Sequence, residues 1–206
     1  MIAVIDYGVG NLFSLKSSLD AIGEKACVTK DPSLIRQADK LILPGVGAFG
    51  DAADKLKQSG MAELVTEAAE SGKPLLGICV GMQMLFEKSL EFGEHEGLGL
   101  LKGTVDAIEP RIAADLDVPH MGWNSLRYTR SSRLFQDIPE GTFVYFVHSY
   151  AAFDCRDSVI AETEYGIPLT AAAEQGNVFG TQFHPEKSGA AGLAILKNFC
   201  RIGEAL

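Results

Sequence analysis

Positive charge is scarce in this chain. Its 206 residues carry 18 Lys and Arg against 27 Asp and Glu, a net charge of −9 with the four His neutral. That balance argues against a surface built to neutralise nucleic-acid phosphates or to coat an anionic membrane. No apolar run approaches the roughly 18 residues of a membrane span. The opening Met1-Ile2-Ala3-Val4-Ile5-Asp6 has neither a basic segment nor a cleavage site, so a cytoplasmic chain is expected. Cysteine is sparse as well. Cys27, Cys79, Cys155 and Cys200 stand far apart and no C-x-x-C occurs, which excludes a zinc ribbon or a dithiol redox pair. A phosphate loop of the form G-x-x-x-x-G-K-[ST] is missing, and Gly8-Val9-Gly10 lacks the third glycine of a dinucleotide loop. Neither a cofactor nor a metal is expected.

Apolar residues, by contrast, make up 47% of the chain, too many for a disordered one. A chain of this size can bury roughly 70% of its unfolded surface. One domain over residues 1–206 is expected. The first half repeats one theme: a short apolar run, a Gly-rich turn, an amphipathic stretch. Ile2–Ile5, Lys25–Thr29, Lys40–Leu43 and Leu75–Ile78 read as strands. Leu12, Leu15, Leu19 and Ile22 share one helical face, and Asp31-Pro32 opens a short helix. A helical region covers about 51–71, with a break at Gly60. Strands alternating with helices imply a mostly parallel sheet covered on both faces. In the second half, 142–149, Val159–Glu164, Leu169–Ala173 and Val178–Phe183 read as short strands. Gly189–Arg201 closes as a helix with Leu193, Leu196, Phe199 and Cys200 on one face. The expected fold is α/β, with an antiparallel addition to the parallel sheet.

Three segments carry chemical interest. Gly77-Ile78-Cys79-Val80-Gly81-Met82-Gln83 follows an apolar strand and precedes a helical pattern including Met82, Leu85 and Phe86. It has the form of a nucleophile elbow with Cys in place of Ser. Its plain alternative is a core cysteine in a Gly-rich turn. Gln182-Phe183-His184-Pro185-Glu186-Lys187 offers an imidazole with a carboxylate two residues on, which share a side if the segment is extended. That pair can act as base and orienter; alone, it reads as a surface His beside a Glu. Leu43-Pro44-Gly45-Val46-Gly47-Ala48-Phe49 puts backbone N–H groups at the carboxyl edge of the sheet, where open α/β folds bind ligands. An oxyanion hole and an ordinary strand-to-helix turn both fit it. His95 reads as a surface residue. Cys27, Cys155 and Cys200 read as buried apolar groups.

The elbow together with His184-Pro185-Glu186 resembles the class I, triad-type glutamine amidotransferases. Ile5-Asp6-Tyr7-Gly8-Val9-Gly10-Asn11-Leu12, Pro119-His120-Met121-Gly122-Trp123-Asn124 and Tyr145-Phe146-Val147-His148-Ser149-Tyr150 extend the match over nearly the whole chain. The resemblance implies a flavodoxin-like sheet. It also implies glutamine hydrolysis through a glutamyl thioester on Cys79, with His184 moving protons and Glu186 orienting it. Val46 and Val80 N–H would form the oxyanion hole. Gly45, Gly47, Gln83, His148, Ser149 and Tyr150 would bind glutamine. The closest pattern is that of lone glutaminase subunits passing ammonia to a separate (β/α)8-barrel cyclase in histidine biosynthesis, as one half of a heterodimer. Asn11, Met121, Trp123, Tyr145 and Lys187 would face that partner, with His120 of lesser weight. On residue type alone, Trp123 reads as core, Asn11 as a helix cap and Lys187 as a solvated side chain. Two alternatives remain: the glutaminase of another amidotransferase, such as pyridoxal phosphate synthase, and a cysteine hydrolase on the same fold.

Overall fold

Alternating apolar runs and amphipathic stretches become strands and helices in turn: β1 (Ile2–Ile5), α1 (Leu12–Ala21), β2 (Ala26–Thr29), α2 (Pro32–Gln37), β3 (Lys40–Leu43), α3 (Phe49–Gln58), α4 (Met61–Glu70) and β4 (Leu75–Ile78). The computed structural model describes residues 1–203. Asp31 caps α2 through its carboxylate and Pro32 takes the first helical position, as the sequence suggests. Gly60, at a φ of 71°, separates α3 from α4.

After β4 the chain makes one helical turn, α5 (Val80–Gln83), and then β5 (Phe86–Ser89), β6 (His95–Glu96) and β7 (Leu101–Ala107). The longer helix suggested by Met82, Leu85 and Phe86 does not form. Phe86 instead pairs with Leu101 of β7, and tertiary pairing outweighs the short apolar periodicity. The remaining strands are β8 (His120–Ser125), β9 (Arg127–Tyr128), β10 (Phe143–His148), β11 (Tyr150–Phe153), β12 (Val159–Glu164), β13 (Pro168–Gln175) and β14 (Val178–Thr181), followed by α6 (Gly189–Arg201).

The main sheet has the order β2-β1-β3-β4-β14-β13-β12-β9. From β2 to β14 every pairing is parallel; β13, β12 and β9 continue it antiparallel. The β1, β3 and β4 residues are all buried, as central parallel strands require. Two smaller sheets, β10-β8 and β11-β7-β5-β6, complete the antiparallel part. Helix α6 buries Gly192, Ile195, Leu196, Phe199 and Cys200. Ile195 takes the place expected for Leu193, which is half-buried. Cys155 and Cys200 are buried, but Cys27 is only half-buried because β2 forms the sheet edge. His95 is half-buried too, tilted against the Phe49 ring at the start of α3.

Cys79 sits between β4 and α5 with φ 55° and ψ −115°, a strained backbone for a residue with a side chain. The flanking glycines make this turn possible. A methyl on Gly77 would come within 2.6 Å of Gly81 O and 2.7 Å of Met82 Cα. One on Gly81 would overlap the Leu43 carbonyl of β3, and one on Gly45 would overlap the Gly81 amide. Backbone lies directly on backbone at all three. Gly81→Ala should therefore cost about 1–3 kcal/mol or more, since overpacking against a main chain cannot relax by rotamer change. Urea unfolding measures this, and an unchanged midpoint would contradict the close packing.

Candidate active site

The strained turn places Cys79 at the carboxyl end of the parallel strands, 4% exposed. Its N–H donates to the Thr181 carbonyl of β14 at 2.8 Å. His184 follows β14 on the neighbouring strand. Here the structure differs from the extended segment suggested by His-x-Glu. β14 ends at Thr181, and Pro185–Lys187 form a single 3-10 turn. That turn still brings Glu186 Oε1 to 2.8 Å from His184 Nδ1, with both side chains almost fully buried. Glu186 Oε2 has no hydrogen-bond partner among the described residues. The segment is tied to β10: His184 N–H donates to Tyr145 O and Tyr145 N–H donates to Ser188 Oγ, both at 3.0 Å.

Charge assigns His184 a protonated state. Burial alone pulls its imidazolium down, but hydrogen bonds to Cys79 and Glu186 and their negative charges lift it to about 9. A cysteine beside an imidazolium with a carboxylate behind it can supply the nucleophile, base and orienter roles.

The Pro44–Ala48 loop is pinned at both ends. Tyr7 hydroxyl donates to Pro44 O at 2.7 Å, and Phe49 N–H donates to Glu91 Oε2 at 2.6 Å. Burial and the nearby Cys79 charge push the Tyr7 phenol above its ordinary range, so it stays a donor. Between the anchors lie exposed Val46 and Gly47, the latter at a φ of 86°. Among the described residues, neither Val46 nor Val80 N–H donates to a backbone carbonyl. Both residues line a cavity of about 580 Å³ with Gly47, Cys79, Gln83 and His184, and with His148, Ser149 and Tyr150 on its far wall. Gly45 is not on that wall; its role is the close contact with Gly81.

Sequence reasoning missed Glu91, Phe92, Pro119 and Val147 on the same wall. Glu91 is the only carboxylate there, and burial raises it despite the Phe49 N–H bond and the positive pull of His95. Its distance from every motif left no local signal, although a Glu in a predicted polar stretch that turns out buried is such a signal in three dimensions.

His148 is occupied internally. Its Nδ1 meets Tyr150 O at 2.9 Å and its Nε2 meets His120 Nδ1 at 3.0 Å. His120 lies between the Phe146 and Tyr165 rings, and its Nε2 is 3.3 Å from Asn124 Nδ2. Burial holds His120 at about 4 and, with His120 and His184 nearby, His148 at about 3. Both are neutral Nδ1–H tautomers at pH 7, since a carbonyl only accepts.

The residues expected to face a partner divide. Met121 (65% exposed) and Trp123 (54%) stand out from β8, so Trp123 is not core. Trp123 meets Tyr145 of β10 edge to face at 6.3 Å, and Lys187 Nζ lies 5.8 Å from the Tyr145 ring centre. Asn11 is the N-cap of α1, accepting from Ser14 N–H at 3.3 Å.

The family model described as "Glutamine amidotransferase class-I" matches residues 3–202. A Wolinella succinogenes protein named "Imidazole glycerol phosphate synthase subunit HisH" is 51% identical over 205 residues, covering 98% of this chain and all of that one (100%). A protein of the same name from Oceanobacillus iheyensis is 48% identical, covering 97% of this chain and 98% of its own. Among solved structures, PurLQS from Thermotoga maritima superposes with a TM-score of 0.75 at 22% identity, covering 97% of both chains. That likeness concerns the fold.

The histidine states predict opposite pH limbs. His120 and His148 bind protons in the unfolded chain, near pH 6.5, before they do so in the native one. Their effect on stability is nil above about pH 6.5 and grows more unfavourable as pH falls towards about 4 for His120 and about 3 for His148. His184 acts in reverse: its contribution is full below about pH 6.5 and is lost as pH rises through about 9. Thermal melts should show both limbs. His120→Asn should flatten the acid one, and an identical acid slope in that variant would contradict the assignment.

Proposed function

This chain belongs to the class-I glutamine amidotransferases, and on that premise we propose that it is the glutaminase subunit of an imidazole glycerol phosphate synthase. One observation carries the chemical reading: Cys79, His184 with Glu186 bonded behind it, and the Val46 and Val80 backbones meet at one glutamine-sized cavity. Glutamine enters as a zwitterion. Glu91, as the only carboxylate on the wall, takes its α-ammonium group. Cys79 Sγ attacks the side-chain amide carbon, and the developing oxyanion is held by Val46 and Val80 N–H. As the C–N bond breaks, His184 Nε2–H supplies the proton with which ammonia leaves. Glu186 keeps the other ring proton on Nδ1 and offsets the imidazolium charge. His184, now neutral, takes a proton from water, which attacks the thioester. Glutamate leaves and the thiolate is restored.

Ammonia lost to solvent is wasted, so release has to be coupled to an acceptor. The acceptor we assign is the separate (β/α)8-barrel cyclase, in a heterodimer serving histidine biosynthesis. The name shared by the full-length relatives supports this reading, as do the exposed Met121 and Trp123 of β8, which pairs with the β10 strand bearing the cavity residues Val147 and His148. A single domain over 1–206 is supported by one buried apolar cluster running from Ile2 to Ile202. No helix among the described residues is long and apolar enough to cross a membrane, which agrees with a cytoplasmic subunit.

Cys79→Ala should abolish glutamine-dependent synthesis by the complex while leaving synthesis from added ammonium. Loss of both would overturn the division of labour. Glu91→Gln should raise KM for glutamine at least tenfold, the worth of one charge-assisted hydrogen bond of about 1.5–3 kcal/mol, with a smaller change in kcat. Glutaminase turnover of the free chain should rise strongly when the cyclase and its nucleotide ligand are added; equal rates would reject partner control.

A further inference from the structure

Behind the nucleophile lies a polar chain that the reaction scheme does not use. Gln182 is fully buried, and its backbone N–H donates to Ala171 O at 2.8 Å, just beyond the end of β14. Its side-chain Nε2 is 3.8 Å from Cys79 Sγ. Its Oε1 is 3.0 Å from Gln83 Nε2, which is also 3.0 Å from the Tyr150 carbonyl oxygen.

The direction of this chain is fixed by its far end. Amide oxygen and nitrogen have nearly the same shape, so bonding partners decide which is which. The Tyr150 carbonyl can only accept, and it already receives His148 Nδ1–H. Gln83 must therefore turn its NH2 group towards it. The second proton of that group points at Gln182, which answers with its oxygen. Gln182 is left with its own NH2 facing the sulfur.

We propose that Gln182 is a catalytic residue, a hydrogen-bond donor to the Cys79 sulfur that holds it in its anionic, attacking form. Gln83 is the positioning residue that keeps this donor aimed. The inference rests on Cys79 being the nucleophile. An N–H donor favours a thiolate, whereas an oxygen in the same place repels it. Gln182 thus complements His184 from the interior side, where no water can serve.

The test is alkylation of the full-length chain by iodoacetamide across pH, with Cys79→Ser as the blank. Around the sulfur lie Tyr7, His184 with Glu186 behind it, His148, and Glu91 across the cavity. All stay unchanged in the variants. Gln182→Met should react about tenfold more slowly at neutral pH, with its rate profile displaced to higher pH. Gln182→Glu, nearly the same shape, should be slower still. Gln83→Glu does not touch the sulfur, yet should slow the reaction similarly by reversing the Gln182 amide. Combined with Gln182→Met it should add nothing. Wild-type rates and profiles in Gln182→Met and Gln182→Glu would overturn the proposal, and an unaffected Gln83→Glu would overturn the positioning role. If Gln182→Met fails to melt cooperatively, the isosteric Glu variant carries the test. Full labelling in the Cys79→Ser blank would instead refute Cys79 as the reactive thiol.

Discussion

Where β3, β4 and α5 meet, main chain packs on main chain, and Gly45, Gly77 and Gly81 leave the space for it. The contact ties the nucleophile turn to the loop bearing Val46. Cys79 can hold its strained backbone because both sides are over-determined, by Thr181 O on one flank and by the glycine contacts on the other. The spacing between the Cys79 turn and the Val46 loop is thereby set by rigid backbone rather than by side-chain rotamers. Such preorganisation costs nothing at the moment of reaction, because it was met during folding.

Electrostatics then separates three buried histidines into two kinds. His184 has a carboxylate and a sulfur as neighbours and carries charge. Burial keeps His120 and His148 neutral, helped at His148 by the nearby His120 and His184. The neutral pair is useful for that reason. A neutral imidazole donates at one nitrogen and accepts at the other, so it can hand a fixed bond direction from Asn124 to Tyr150. A charged one would have two donors and break the sequence of bonds.

Much of the fold was legible. The bounds of β3 and β4 follow the apolar runs closely, because central parallel strands are apolar on both faces and announce themselves. The single turn of α5 was not legible, since Phe86 is claimed by a strand partner distant in sequence. The candidate triad could be proposed because elbow glycines and His-x-Glu are local patterns. The inference about His184 and Glu186 reached the right pairing from an extended geometry that a 3-10 turn replaces. Glu91 and Gln182 stayed hidden for the opposite reason. Each makes its contacts with residues far along the chain, so even Gln182, inside the quoted His184 segment, shows no role of its own in sequence.

Trp123 has one further consequence. It is the only tryptophan of the chain, it is half in solvent, and it lies edge-on to Tyr145 of β10. Indole emission shifts to the blue when water is removed from the ring. Nearly all the red-edge-excited fluorescence of this protein therefore originates at one known point. A partner that settled on β8 would change that single signal, with no label to attach.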